Sequence, residues 1–210
     1  MPVVTALMLG CAHTIPLKAT VDPPSSSVQI PLAVGVYYSP EFQAYEHIGS
    51  RGGDRWIFPL GQASVALFDR VFPIIFESIV PVSSRLIHAA EGPKLAAVVE
   101  PRIEEFNFNI PFLKTSIYTA EITYRFTLYS PQGDPFASWT VKGVGEKQGK
   151  FSFESARWPG EAADLAMQDA ATKFMTGFRQ VPEVRGWLRQ VGVRDVRWIP
   201  SWLRAIFGRG

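Results

Sequence analysis

The sequence is short of cysteine, of charge and of long apolar runs. Cys11 is the one cysteine among 210 residues, which excludes a disulfide scaffold and a zinc site built from several thiolates. No apolar run approaches the ~20 residues that a transmembrane helix needs. Charged residues make up 19%, and the formal net charge of +2 argues against a dedicated nucleic-acid-binding protein.

Apolar and aromatic residues, in contrast, are plentiful. They reach 47%, with 15 Phe, six Tyr and six Trp. A chain of this composition buries a real core, so wholesale disorder is excluded. At roughly 100–200 residues per domain, the length predicts one domain with appendages.

The apolar run MPVVTALMLG occupies residues 1–10, directly before Cys11. Its length is that of a signal-peptide core. Gly10 followed by Cys11 resembles the end of a bacterial lipoprotein signal, after which the cysteine is acylated and becomes the new N-terminus. Ala12 stands where an Asp would imply retention at the inner membrane, so the resemblance implies an outer-membrane anchor with the body in the periplasm. The alternative is an unmodified thiol near an irregular N-terminus.

Residues 11–27 have the composition of a tether between such an anchor and a folded domain. They contain Pro16, Pro23, Pro24 and a run of three serines at 25–27. Acyl chains contribute ~0.8 kcal/mol per buried CH₂, which suffices for stable anchoring when several chains are attached. The order of signal, cysteine and tether is the one that a lipoprotein requires.

Residues 28–190 are predicted to form the folded domain. Strands are expected over 28–38 and 42–48, and a helix kinked or split at Pro73 over 60–80. A short strand over 82–90 and a longer one over 95–109 follow, with a bulge near Glu104 and Glu105.

The second half of this domain gives the clearest pattern. Residues 120–128 alternate between apolar and polar, which predicts a strand with one buried face; a turn at 130–134 and a returning strand over 136–146 follow. A helix is expected over 162–178 with a short helix after Pro182. The fold class is therefore α+β, a mostly antiparallel sheet with two main helices packed on one face.

Four segments give this body a familiar outline: VVEPRIEEF, YTAEITYRFTLYSPQG, ASWTVKGVGE and the Ala-rich EAADLAMQDAATKFM. Together they resemble the YajG-like and transport-auxiliary lipoproteins, whose body is similar to the N-terminal domain of TolB. The resemblance covers about residues 28–190. It implies an envelope component without an established catalytic site.

Residues that carry chemistry are scattered. His13, His47 and His88 are far apart in the sequence, and no nucleophile-elbow, zinc-protease or phosphate-loop motif is present. Glu104 and Glu105 point to opposite faces if they lie on a strand. The glycines of Gly143-Val144-Gly145 suit the end of a strand better than a phosphate loop, and Asp164 and Asp169 do not share a helix face well. We expect no enzyme, no metal and no cofactor.

Residues 191–210 form a basic, aromatic C-terminal segment. Seven Arg and two acids fall within 179–210, together with three of the six Trp. A helix starting at Pro200 is expected to have an apolar side and a basic side, the first with Trp198, Trp202, Leu203 and Phe207, the second with Arg197 and Arg204. The segment docks either on a membrane or partner, or on its own domain; nucleic acid is not an expected partner.

The function that these features favour is a non-enzymatic outer-membrane lipoprotein facing the periplasm. It would act as an accessory or structural subunit of an envelope assembly for transport, secretion or motility, with other envelope proteins as partners and the membrane contacted through the acylated N-terminus. The alternative is a periplasmic module that binds a small molecule or lipid in a pocket beneath the first long helix. The sequence leaves open whether the chain self-associates.

Overall fold

The computed structural model of this chain describes residues 12–18, 20–22, 29–51, 54–87, 94–109, 116–149 and 157–193. Two sheets and four helices make up this part of the chain, and the α+β class is confirmed. In chain order the elements are β1 (Ala12–Thr14), β2 (Ile30–Val36), α1 (Pro40–Gln43), β3 (His47–Arg51), β4 (Asp54–Phe58), α2 (Leu60–Ile75), β5 (Phe76–Pro81), β6 (Ala97–Asn109), β7 (Ser116–Tyr129), β8 (Pro135–Gly149), α3 (Arg157–Gly177), a 3₁₀ turn (Phe178–Gln180) and α4 (Pro182–Gln190).

The main sheet has five strands in the order β5-β2-β6-β7-β8. β2 is parallel to both β5 and β6, whereas β6, β7 and β8 form antiparallel pairs. The sheet is thus mixed rather than mostly antiparallel, because the chain reaches β5 and β6 by crossover connections, which place strands parallel. A smaller sheet has the order β1-β4-β3, with β1 parallel and β3 antiparallel to β4.

Helices α2 and α3 cover one face of the main sheet, as expected. The ring of Phe126 on β7 lies 5.3 Å from that of Phe68 on α2 and 4.2 Å from that of Phe174 on α3. All three side chains are fully buried. Removing such a ring from a core costs about 3–5 kcal/mol, so this contact is a major source of the stability of the fold.

Periodicity identified the core residues well where one face is buried. The apolar residues predicted on β7 and on α3 are all buried: Ala120, Ile122, Tyr124, Phe126 and Leu128 on the strand, and Ala163, Met167, Ala170 and Phe174 on the helix, with Phe178 just beyond it. The expected bulge also occurs, since the pairing of β6 with β7 shifts register between Ile103 and Glu105.

Three expectations for the first half were wrong. Residues 42–48 do not return as a strand beside β2, because the Ser39 hydroxyl accepts the Phe42 amide and caps the short helix α1. The predicted helix over 60–80 ends at Ile75, and Phe76 begins β5. Pro73 removes one backbone donor near the helix end, and the β-branched residues that follow suit a strand. Residues 83–86 form bends where a strand was expected over 82–90, and 88–90 lie outside the described residues.

Gly143 and Gly145 lie within β8, and their role is close packing rather than strand-end flexibility. A Cβ atom at Gly143 would lie 2.0 Å from the carbonyl oxygen of Ala166, and one at Gly145 would lie 2.1 Å from that of Ala162. Helix α3 therefore rests directly on the β8 backbone. The alanines on this face of α3 make the same approach possible from the helix side.

We expect Gly143→Ala to destabilise the protein by about 1–3 kcal/mol, because the added methyl group overlaps the backbone of α3. Urea unfolding followed by circular dichroism measures this change. The control is Gly186→Ala on α4, where a Cβ meets nothing within 4 Å and helix propensity predicts a gain of up to about 1 kcal/mol. Equal midpoints for the two variants would contradict the close-packing role.

Candidate functional site

The residues that follow Cys11 are part of the fold. Ala12, His13 and Thr14 form β1 against β4, and the Ile15 amide donates to the carbonyl of Ile57 at 2.8 Å. The Ile15 side chain is fully buried. We call residues 12–18 the N-terminal strap.

One face of α3 receives the strap. Gly160, Asp164 and Gln168 are spaced four residues apart and therefore share a face of the helix. A Cβ at Gly160 would lie 2.8 Å from the Pro16 carbonyl oxygen, so the absence of a side chain makes room for the strap. The Asp164 carboxylate accepts the backbone amide of Lys18 at 2.8 Å.

A third contact extends this line along the helix. The Gln168 side-chain amide donates to the Thr20 hydroxyl at 2.6 Å. The expected tether over 11–27 is thus not extended chain at 12–18, because the buried Ile15 and the carboxylate of Asp164 hold it against the body. Cys11 and residues 23–27 lie outside the described residues.

These contacts also show in which direction the strap runs along α3. Going along the strap and on to Thr20, successive residues meet successively later positions of α3, so the start of the strap is on the side of the N-terminal end of that helix. The 21 residues of α3 span about 30 Å. At the far end, residues 178–180 lead directly into α4.

A groove lies at that far end, beside α4. Its volume is about 480 Å³, and it is lined by Ala96, Ser130, Pro131, Phe136, Glu183, Gly186, Trp187 and Gln190. The Phe136 and Trp187 rings lie 5.7 Å apart, and Glu183 contributes an exposed carboxylate. We call this the distal groove, since α3 separates it from the strap end.

Aromatic side chains occupy the place where the alternative function expected a pocket. Beneath the predicted first helix, Phe68, Phe72 and Phe76 are fully buried, and their rings contact Phe174 or Phe178. These side chains fill the space between α2 and the sheet. Any small-molecule site among the described residues is therefore better sought at the distal groove.

Glu100 on β6 is the centre of a buried ion cluster. Its side chain is 1% exposed, and Arg85 binds both carboxylate oxygens, at 2.8 and 2.7 Å. Arg102 donates to Oε1, the oxygen that lies 2.7 Å from Arg85, at 3.1 Å, and the Tyr129 hydroxyl donates to Oε2 at 2.8 Å. The Arg85 guanidinium also lies 5.4 Å from the ring centroids of both Tyr37 and Tyr129.

This environment keeps Glu100 ionised. Burial by itself raises the pKa of Glu100, but hydrogen bonds from Arg85 and Tyr129 and the charge of Arg102 outweigh it and hold the pKa below its ordinary value. Each oxygen already accepts two hydrogen bonds. The cluster consequently fastens the segment containing Arg85 to the sheet, and we assign it no proton-transfer role.

The other polar residues considered from sequence are dispersed. The His13 ring lies 5.4 Å from the Trp56 ring in a tilted arrangement, and His47 packs against Phe106 at 4.9 Å, where burial lowers the pKa of the His47 imidazole. Glu104 pairs with Arg125 and Glu105 accepts from Asn107, as divergent neighbours do. No three metal-ligating side chains converge within the described residues, and none of their helices has the length and apolar character of a membrane span.

Asp169 has a use that the sequence did not reveal. Its carboxylate accepts the amide of Val144 at 2.8 Å, and Lys173 donates both to Asp169 at 2.7 Å and to the carbonyl of Lys142 at 3.0 Å. Both backbone groups belong to β8, the last strand of the main sheet. Two side chains of α3 thus hydrogen-bond two backbone groups of that strand.

Sequence reasoning also missed the strap contacts and the Glu100 cluster. The spacing of Gly160, Asp164 and Gln168 within an Ala-rich helix was a visible sign that one helix face receives something. Cys11, His88 and the C-terminal candidates lie outside the described residues; the latter are Arg197, Trp198, Trp202, Leu203, Arg204 and Phe207.

We expect Asp164→Ala to loosen the strap, since the Lys18 amide then loses a charged partner worth about 1.5–3 kcal/mol, or roughly ten- to hundredfold in the opening equilibrium. Trypsin cleavage after Lys18, followed by mass spectrometry of the intact chain, reports this opening. Leu165→Ala, at a 38% exposed position on the same helix, is the matched control. Unchanged cleavage after Lys18 in Asp164→Ala would contradict the docking.

Glu100→Gln should lower the free energy of unfolding by about 1–3 kcal/mol at pH 7, because the Arg85 guanidinium then meets a neutral amide in place of a carboxylate. The lowered pKa of Glu100 stabilises the native protein above the unfolded-state pKa, and this contribution is lost as the pH falls through the folded-state pKa. Unfolding free energies of wild type and variant should therefore converge on acidification. Glu104→Gln, at an exposed pair, is the control and should change little.

The chain matches no protein-family model and no curated protein. Its fold is similar to that of the protein XCC0632 from Xanthomonas campestris, of the family DUF330, with a TM-score of 0.50 and 13% identity over 86% of this chain and 98% of that one. A minor lipoprotein from Acinetobacter baumannii gives a TM-score of 0.41 and 7% identity over 74% of this chain and 98% of that one. The finer resemblance to YajG-like proteins and to TolB stays a prediction.

Proposed function

We propose that this protein is a non-enzymatic lipoprotein of the bacterial envelope that docks other envelope proteins. Acylated Cys11 holds it at the outer membrane, and the α+β body lies in the periplasm. The distal groove is its docking site. The observation that carries the proposal is the placement of the strap and the groove at opposite ends of α3.

The strap supports the anchoring step. Ala12, the residue next to Cys11, belongs to β1, so the acylated cysteine would adjoin one end of the body without a long tether. Attached acyl chains contribute ~0.8 kcal/mol per buried CH₂, and several chains give a stable anchor. The body would stand on the bilayer with α3 leading away from it.

The distal groove supports the docking step. It lies about 30 Å from the strap end by the length of α3, which keeps it accessible to a partner above the membrane surface. Aromatic side chains such as Trp187 and Phe136 are the kind that anchor protein interfaces. Glu183 favours a partner segment that carries a basic residue.

The last described residues before the C-terminal segment lie near the distal groove. α4 ends at Gln190 beside the groove, so residues 194–210 follow from the distal end rather than from the anchor end. We propose that Trp198, Trp202 and the neighbouring arginines contact the same protein partner as the groove.

The polar clusters support a non-catalytic role. Glu100 is saturated by Arg85, Arg102 and Tyr129, and Asp169 is engaged by Val144 and Lys173. Groups held in this way stabilise the fold, whereas a general acid or base needs a proton position open to substrate.

A small-molecule ligand is the second candidate, favoured by a groove volume of about 480 Å³ that lies within the range of known ligand sites.

Mass spectrometry of the mature protein from a bacterial membrane fraction tests the anchor. We expect the chain to begin at Cys11 and to carry acyl groups. Cys11→Ser should leave the membrane fraction while keeping its circular dichroism spectrum, because this variant retains the strap and its buried Ile15. A mature chain with a free Cys11 thiol would refute the anchor.

Site-specific photocrosslinking in living cells tests the groove. A photoreactive residue at Gln190, which lines the groove, should give a discrete crosslinked protein. The control carries the photoreactive residue at Arg189, the exposed position just before Gln190 on α4, and should give less of that product. Equal crosslinking at both positions would contradict the groove as the docking site. A photoproduct at position 190 with a small metabolite, and none with a protein, would favour the second candidate.

A further inference from the structure

The small sheet lies next to the proposed anchor. Consecutive Cα atoms are ~3.8 Å apart, so Cys11 adjoins Ala12, whose partner across the β1–β4 pair is Arg55. Neighbouring strands are ~4.8 Å apart, which puts β3, beyond β4, about 10 Å from β1. The hairpin of β3 and β4 is therefore within reach of the surface in which an acylated cysteine is embedded.

One face of this hairpin combines apolar and basic side chains. Ile48 lies opposite Ile57 and Ser50 opposite Arg55, and directly opposed residues share a face. The Ile48 side chain is 55% exposed, a high value for an isoleucine, and Arg55 and Ser50 are exposed as well. Ser50 and Arg55 are level with Ala12, at the end of the hairpin nearest Cys11.

This combination fits the boundary between water and lipid. Exposed isoleucines bury apolar area at the edge of the acyl region, and arginine binds lipid phosphates through bidentate hydrogen bonds. Anionic headgroups attract basic residues only within about a Debye length, ~8 Å at physiological salt. The paired position of Arg55 and Ala12 meets that limit if Cys11 is acylated.

We propose that the β3–β4 hairpin rests in the lipid headgroup layer beside the anchor and is a second membrane contact of this protein. This inference rests on the proposed acylation of Cys11 and adds an orientation to it. The strap is what enforces the contact, because the buried Ile15 and the bond from Lys18 to Asp164 remove the slack that a free tether would give.

A fluorescent probe at one engineered cysteine tests the contact in the acylated mature protein. Acylation blocks Cys11, so Ser50→Cys supplies a single thiol for an environment-sensitive dye. Ser138→Cys is the matched control, an exposed serine on β8 opposite Thr127. Position 138 is far from the small sheet. Ala120 marks the end of β7 near that sheet, because it lies opposite Phe108, whose ring contacts Phe58 of β4. Thr127, the partner of Ser138, is seven residues further along β7, so about 20 Å separates Ser138 from that end.

The labelled proteins are placed on vesicles of phosphatidylethanolamine and phosphatidylglycerol that contain a nitroxide-headgroup lipid as quencher. We expect a loss of emission for the probe at position 50 and none at position 138. Ile48→Cys provides a second probe on the same hairpin, and Arg55→Gln should reduce the loss at position 50. The dye should leave wild type unlabelled, which confirms that Cys11 is blocked.

The outcomes separate the two proposals. Acylated Cys11 with equal, small losses at positions 50 and 138 would overturn the hairpin contact and leave the anchor in place. A Cys11 that mass spectrometry finds unmodified would overturn the anchor and the hairpin contact together. Quenching at position 50 that exceeds that at 138 supports the contact.

Discussion

The close approach of α3 to β8 sets the arrangement of the rest of the molecule. Gly143 and Gly145 let the helix backbone lie on the strand, which no residue with a Cβ would allow at these distances. With the helix fixed on that side, a different face of α3 is presented to the strap through Gly160 and Asp164. The helix thus lies between the sheet and the first residues of the fold.

Sequence reasoning recovered the parts of the fold that depend on local periodicity. β7 alternates strictly because one of its faces is buried, and α3 has an apolar stripe because one side packs on the sheet. It missed the parallel pairing of β2 with β5 and β6, since pairing between distant strands has no local signal. It also extended the first long helix past Pro73 into residues that pair with β2 instead.

The contacts that define the candidate sites were hidden for a similar reason. The bond between the Lys18 amide and Asp164 joins residues 146 positions apart, and a backbone donor leaves no trace in residue identity. Arg85 and Glu100 are individually ordinary charged residues until the fold buries one against the other. The composition of residues 11–27 predicts a tether, because proline and serine suit an extended chain equally well when it is docked, as the strap is, and when it is free.

The side chains of Asp169 and Lys173 have a consequence for the solubility of the protein. β8 is 15 residues long and ends the sheet, and exposed strands of that length readily recruit a further strand from another molecule. By occupying the amide of Val144 and the carbonyl of Lys142, α3 interrupts the ladder on which such a strand would grow. A crowded population of these molecules is in this way guarded against cross-β aggregation along that edge.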